Sequence, residues 1–287
     1  MRDGPGAALP RRSGDDGARA PRPPARAGRA VRRRDGGGVV PEVGYRRALR
    51  RTATSVERAV PGGPVTVHTD DGAQVDADEL LLGTGRRPAI DDLGLETIGL
   101  QTHDPIEVDS SMRATAMPDG WLYAVGDVNG RNLLTHVGKY QARICGDVIA
   151  ARAQGLPDDT PGLRDTADDR GAPQIVFTEP QVCMVGKTES QARADGYPVR
   201  TVEYDIGAVA GAEVRGVGYT GRAKLVVDED RRVLLDASFV APDIDDLLHS
   251  ATVAVNAEVP LDQLWHAVPP FPTVTEIWLR LLEQYGP

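Results

Sequence analysis

One carboxylate in this chain stands where a carboxylate can do useful work. The stretch Trp121-Leu122-Tyr123-Ala124-Val125 reads as a strand ending in Gly126-Asp127. After the loop Val128–Asn132, the residues LLTHVGKYQARICGDVIAARAQG carry apolar side chains at helical spacing and close on Gly155. Strand, loop and helix together put Asp127 at a carboxyl edge, where open α/β sheets bind their ligands. A carboxylate there accepts hydrogen bonds from a sugar-alcohol hydroxyl. The plainer alternative is that Gly126-Asp127 is only a turn.

The other chemically capable groups offer less. Cys145 and Cys183 are the only cysteines and lie far apart, so they form neither a disulfide framework nor a metal-ligand cluster, and no metal site is expected. Both read as small buried hydrophobes. Gly216-Val217-Gly218-Tyr219-Thr220-Gly221 spells G-x-G-x-x-G, but the strand-like Ala223-Lys224-Leu225-Val226-Val227 follows it. Without a helix N-terminus the motif has no anion site, and it reads as a loop between strands. His136 is expected to be a structural histidine at a helix start. His266 is expected to be structural as well.

The elements around these residues change character along the chain. From Thr52, TSVERAV, PVTVHT and AQVDADELLLGTG alternate with the turns Pro61-Gly62-Gly63 and Asp70-Asp71-Gly72, predicting a β-meander over 52–82. Its last strand, Glu79–Leu82, ends in the continuous apolar run of a buried strand. A short strand is expected near Ile106–Val108. Residues 156–171 are rich in Pro, Asp and Gly and read as a linker. From Ala172 the strands QIVFT, VCMVG, VRTVEYD, AKLVVD and VLLDASFV are interrupted by the helix TESQARADG, capped by Thr188 and closed by Gly196. Helices across 242–256, 260–267 and 274–284 complete an α+β unit.

Residues 1–51 differ from everything after them. They hold fourteen Arg against five Asp or Glu, with Gly, Pro and Ala between, and no apolar period. Such a segment cannot bury enough apolar surface to offset its ordering entropy. It is expected to be disordered, or mis-framed: the chain has thirty Arg and only Lys139, Lys187 and Lys224, the usage of a GC-rich coding sequence. The net charge is −9, and the folded-looking remainder carries nearly all the acid, so nucleic acid is not an expected partner. No apolar run approaches the length of a membrane span, and the N-terminal arginines are not followed by an apolar signal region. A cytoplasmic, unprocessed protein is expected.

Three segments, in order, give a resemblance. Leu82-Gly83-Thr84-Gly85-Arg86-Arg87-Pro88 is similar to A-T-G-R-x-P, and Leu122-Tyr123-Ala124-Val125-Gly126-Asp127-Val128 to Y-A-x-G-D. FTEPQVCMVGKTESQARADG and FPTVTE stand at the two ends of 172–287. From Thr52 to the C-terminus the chain resembles the FAD-dependent pyridine nucleotide-disulfide oxidoreductases, the family of dihydrolipoamide dehydrogenase, glutathione reductase and mercuric reductase. The fold this implies is an α/β FAD/NAD(P)-binding domain remnant followed by an α+β dimerisation domain. By resemblance, 52–82 is a remnant of the NAD(P) domain, 83–155 the C-terminal part of the FAD domain, and 172–287 the surface of a homodimer. Asp127 would hold the flavin ribitol. The helix starting near Thr135 would aim its N–H groups at the flavin's pyrimidine edge, and the small residues Thr84, Gly85 and Gly126 would let backbone approach the cofactor. Arg86 and Arg87 are either a solvated pair or a cofactor contact.

The departures from the pattern matter equally. No first Gly-rich loop for the FAD pyrophosphate, no redox C-x4-C and no second Gly-rich loop for NAD(P)H stand in this sequence, so the resemblance implies a half-site for FAD and a truncated member, inactive alone. Where thiol-disulfide members carry H-P-x-x-x-E, this chain has Phe271-Pro272-Thr273-Val274-Thr275-Glu276. Phenylalanine cannot take a proton, and Glu276 has no histidine to orient, so no catalytic residue is assigned and a quinone or a metal ion becomes as plausible an acceptor as a disulfide. The alternative is a non-catalytic dimerisation module or the product of a damaged gene.

Overall fold

Valines alternating with polar residues, punctuated by two tight turns, make residues 53–77 an antiparallel meander: β1 (Ala53–Glu57), β2 (Val65–Thr69) and β3 (Gln74–Ala77). Gly62 and Gly72 supply the left-handed residues of the turns, at φ 75° and 79°. The computed structural model describes residues 51–101, 103–117, 119–158 and 160–286. They fall into two compact units, 51–86 and 87–286. Residues 1–50, which include nearly all of the segment expected to be disordered or mis-framed, lie outside the described residues.

Three expected strands need correction. Glu79–Leu82 is irregular, with Leu81 and Leu82 exposed. An apolar run becomes a strand only where its N–H and C=O groups have a neighbour to pair with, and no strand among the described residues pairs with it. The strands expected near Ile106–Val108 and at Trp121–Val125 reduce to the isolated bridges Val108–Ala114 and Arg113–Tyr123. Ala114 N–H donates to Leu122 C=O at 2.9 Å and Ala124 N–H to Met112 C=O at 3.1 Å. Met112, at φ 67°, turns the chain there and ends the ladder after one pair of residues. A small core of Ile90, Leu95, Ile106, Ala114 and Ala124 holds this region.

The helix that follows is α1 (Thr135–Ala153), about 28 Å long. Its buried residues Val137, Gln141, Ile144, Cys145 and Val148 form one stripe. Gly155, at φ 66°, stands just past its end. The 156–171 segment contains a 3-10 turn at Pro161–Leu163 and the one-turn helix α2 (Ala167–Arg170).

Beyond it lies a five-stranded antiparallel sheet of β4 (Gln174–Val176), β5 (Gln181–Gly186), β6 (Val199–Asp205), β7 (Arg222–Asp228) and β8 (Val233–Ala241), in the order β4-β5-β8-β7-β6. All nine residues of the central β8 are buried. Helix α3 (Glu189–Ala194) opens on a capping box in which Thr188 and Gln191 satisfy each other's backbone N–H. Helix α4 (Ala210–Arg215) was not foreseen, because six Gly- and Ala-rich residues show no apolar period. Helices α5 (Leu247–Asn256), α6 (Leu261–Leu264) and α7 (Ile277–Tyr285) follow, α5 lying over β5 and β8 and α7 over β6 and β7. Phe239 is fully buried there, edge-to-face with Trp278. No helix among the described residues is long and apolar enough to cross a membrane.

Candidate functional site

Asp127 sits in a 3-10 turn, Gly126–Asn129, entered from the extended Val125 and closed by Gly130, whose N–H donates to Asp127 C=O at 3.1 Å. Gly126 takes φ 77°, a conformation side chains other than glycine's rarely allow. It also lies against α1: a Cβ on Gly138 would stand 3.2 Å from Gly126 Cα. Gln141 Oε1 accepts from Gly126 N–H at 2.8 Å and from Asn129 Nδ2 at 2.9 Å, and Asn129 Nδ2 also reaches Ala124 C=O at 3.1 Å. The turn is therefore held from behind while the Asp127 side chain remains exposed.

Thr135 is the first residue of α1, and it too is exposed. The N-cap residue Leu134 makes no side-chain cap bond, and no acidic residue stands in the first turn. The first N–H groups of a helix have no intrahelical partner, and the aligned peptide dipoles of nineteen residues place partial positive charge there. An uncapped start of this kind favours an acceptor or an anion. His136, beside it, is spoken for by Pro173 C=O at 2.8 Å, a structural contact.

Of the expected cofactor residues, the structure thus gathers Gly126, Asp127 and Thr135 on one turn and one helix start. Thr84 and Gly85 belong to the unit 51–86, where they are exposed and irregular, Gly85 at φ 134°. Arg87 pairs with Asp91.

A polar cluster that sequence reasoning missed adjoins the turn. Arg131 Nε meets Asp168 Oδ2 at 2.7 Å, and its Nη1 lies 3.8 Å from Asp165 Oδ2 and 3.2 Å from Asp109 C=O. Asn132 Nδ2 donates to Asp168 Oδ1. Asp165 is buried, its Oδ1 accepting from Ala167 N–H at 2.9 Å and Asp168 N–H at 3.2 Å. Burial and the charge of Asp168 push the Asp165 carboxyl up to about 6. Nothing in the local text marks these residues, since Asp165 and Asp168 lie in what reads as a linker and meet Arg131 only through the fold.

At the C-terminal motif Phe271 is exposed (77 %), whereas Glu276 is buried (7 %) at the end of the 3-10 turn Val274–Glu276. Glu276 Oε1 accepts from Arg280 Nη2 at 2.7 Å, and its Oε2 is buried without a hydrogen-bond partner. His266 is exposed. Cys145 and Cys183 are buried, and burial, with the charge of Asp245 behind it, pushes the Cys183 thiol up to about 12, out of the range of a nucleophile. Residues 216–221 form a loop running into β7, without a helix at their end. Among the described residues no three His, Cys, Asp or Glu side chains converge as a metal-ligand set.

The pyridine nucleotide-disulphide oxidoreductase family model matches residues 50–155, and the model of the pyridine nucleotide-disulphide oxidoreductase dimerisation domain matches 172–281. Dihydrolipoyl dehydrogenase of Mycobacterium tuberculosis is 35 % identical over 232 residues, covering 78 % of this chain and 47 % of that protein. Mercuric reductase of Staphylococcus aureus is 32 % identical over 202 residues, covering 70 % and 35 %. The Cu(II) complex of the HOCl-induced flavoprotein disulfide reductase RclA of Escherichia coli superposes with a TM-score of 0.64 at 28 % identity, covering 80 % of this chain and 49 % of that one. The chain spans about half the length of the curated relatives it matches, 47 % for the two dihydrolipoyl dehydrogenases at the head of the comparison.

Proposed function

The chain belongs to the pyridine nucleotide-disulphide oxidoreductase family, whose members depend on FAD and NAD(P), and from that premise we propose that it supplies one half of a flavin site in an NAD(P)H-linked oxidoreductase. The observation that carries this reading is the turn at Gly126-Asp127, held rigidly against the uncapped start of α1 with its carboxylate exposed. Asp127 would accept from a ribitol hydroxyl of FAD, and the first-turn N–H groups at Thr135 would face the pyrimidine edge, where negative charge builds on reduction. When bound, FAD supplies the electron-pair transfer from NAD(P)H; this chain's residues bind and orient it.

The pyrophosphate loop, the redox cysteine pair and the NAD(P)H loop are not among the motifs of these 287 residues, so hydride transfer needs a complementary half from outside them. We place the protein in the cytoplasm as a homodimer through 172–287. Phe271 offers no proton, which supports an acceptor other than a disulfide, a quinone or a metal ion. A relative that carries the name mercuric reductase supports the metal ion, whereas the structural neighbour solved with Cu(II) is itself named a disulfide reductase. The alternative, a non-catalytic dimerisation module, is not favoured, because the family match extends over 50–155 as well.

The test is FAD titration of the whole chain, followed by flavin fluorescence and visible absorbance. Wild type should bind, and Asp127→Ala should weaken binding roughly tenfold or more, the loss of a hydrogen bond to a charged group. Equal affinity in the two proteins would refute the placement of the ribitol contact, and a colourless dimer would support the module instead.

A further inference from the structure

Helix α1 presents to the Asp127 turn a side chain that apolar packing does not explain. Gln141 is fully buried (0 %) on a face otherwise made of Val137, Ile144, Cys145 and Val148. Burying a neutral amide is costly unless both its ends are paired. Only one end of this one is. The Oε1 accepts from Gly126 N–H and Asn129 Nδ2, whereas Nε2 is buried without a hydrogen-bond partner. An interior position that tolerates an orphaned donor keeps the residue for its acceptor.

We infer that Gln141 is a positioning residue for the flavin half-site: its carbonyl fixes both ends of the Gly126–Asn129 turn and so sets the direction in which Asp127 is presented. The inference rests on the reading that Asp127 holds the flavin. The two bonds divide the work. The bond to Gly126 N–H fixes the peptide that enters the turn at φ 77°, and the bond to Asn129 Nδ2 fixes its exit, with Ala124 C=O as the third anchor. The contact of Gly138 with Gly126 Cα keeps the two backbones close enough for a glutamine side chain to span them. Glutamate at 141, held in its protonated form by burial, would keep both accepted bonds and place a single hydroxyl donor where the amide nitrogen stands. Leucine would fill the volume and accept nothing, leaving Gly126 N–H and Asn129 Nδ2 to lose their partner.

The test compares wild type, Gln141→Glu and Gln141→Leu in the full chain with two readouts, amide hydrogen exchange at Gly126 by NMR and FAD affinity. In Gln141→Leu, exchange at Gly126 should quicken roughly tenfold or more while the amides of Ile144–Val148 keep their protection, and FAD should bind roughly tenfold more weakly. Gln141→Glu should restore both. If Gln141→Leu does not fold, Gln141→Met takes its place in the same comparison. Unchanged exchange at Gly126 in the apolar variant overturns the inference. Unchanged FAD affinity in a variant that has lost that protection overturns it too, as does a Glu variant that rescues neither readout. Should wild type bind no FAD, the flavin reading itself fails, and exchange at Gly126 still decides whether Gln141 holds the turn.

Discussion

Asp165→Asn should stabilise the protein at neutral pH and leave it unchanged in acid. The Asp165 carboxyl titrates near 6 in the folded chain, raised first by burial and then by the charge of Asp168, against 3.8 for an unperturbed aspartate. Arg131, 3.8 Å away, offsets only part of this. Below about pH 4 the group is protonated in both folded and unfolded states and contributes no difference. Between about pH 4 and 6 the folded chain keeps the proton that the unfolded chain has lost, so stability falls as pH rises. By pH 7 the loss amounts to about 3 kcal/mol. Asparagine stays neutral throughout. Its carbonyl can still accept from Ala167 and Asp168 N–H. Urea unfolding followed by circular dichroism, from about pH 4.5 to 7.5, gives the difference curve directly, since the other carboxylates titrate in both proteins. The variant's advantage should grow by about 2–3 kcal/mol across that window. A difference that stays flat within about 0.5 kcal/mol would show that Asp165 ionises normally in the folded chain and sink the reasoning.

Two glycines in helices should respond with opposite sign to alanine. Gly146 in α1 has open space where a Cβ would go, and Gly146→Ala should raise stability by about 0.5–1 kcal/mol through helix propensity. Gly211 in α4 has none: a Cβ there would overlap the Thr273–Val274 backbone, and Gly211→Ala should lose about 1–3 kcal/mol or fail to fold. Phe239→Ala should cost about 3–5 kcal/mol in denaturant unfolding, the penalty of emptying a fully buried aromatic site beside Trp278. Thr188→Ala should lower the melting temperature by removing the capping box of α3, at a cost of about 1 kcal/mol.

What was legible in the sequence was what short-range physics controls. The turns at Gly62 and Gly72, the nineteen-residue helix with its apolar stripe, and the Thr188 cap all announce themselves within a few residues. The long strands of the sheet were legible for the same reason, since β7 and β8 are apolar runs bounded by turn residues. The failures share one cause. Glu79–Leu82 and Trp121–Val125 have strand-like text, but a strand is completed by its neighbour, and neither segment has a continuing ladder partner among the described residues. Asp127 stands out in the sequence because Gly-Asp after strand-like text is a local signal, although that text forms only an isolated bridge. Gln141 could not, because a glutamine on the apolar stripe of a helix reads as noise until the turn it holds is seen. An inward-facing polar residue at an otherwise apolar helical position was the one available hint.

The buried polar groups explain why the Asp127 turn does not end at its own hydrogen bonds. Arg131 and Asn132, which leave the turn, are held by Asp168 of α2. Arg170, two residues further along the same helix, donates to Asn256 C=O at the end of α5 and pairs with Glu258 at 3.2 Å. The loop that carries the exposed carboxylate is therefore connected, through Asp168 and Arg170 of α2, with a helix packed on the five-stranded sheet. Beside these links Asp165 Oδ2 is buried without a hydrogen bond, 3.8 Å from Arg131 Nη1. A low-dielectric site makes that one unsatisfied oxygen costly. The same burial raises the Asp165 carboxyl toward 6, and Asp165→Asn should remove that contribution to the pH dependence while leaving the Arg131–Asp168 and Arg170–Glu258 pairs in place.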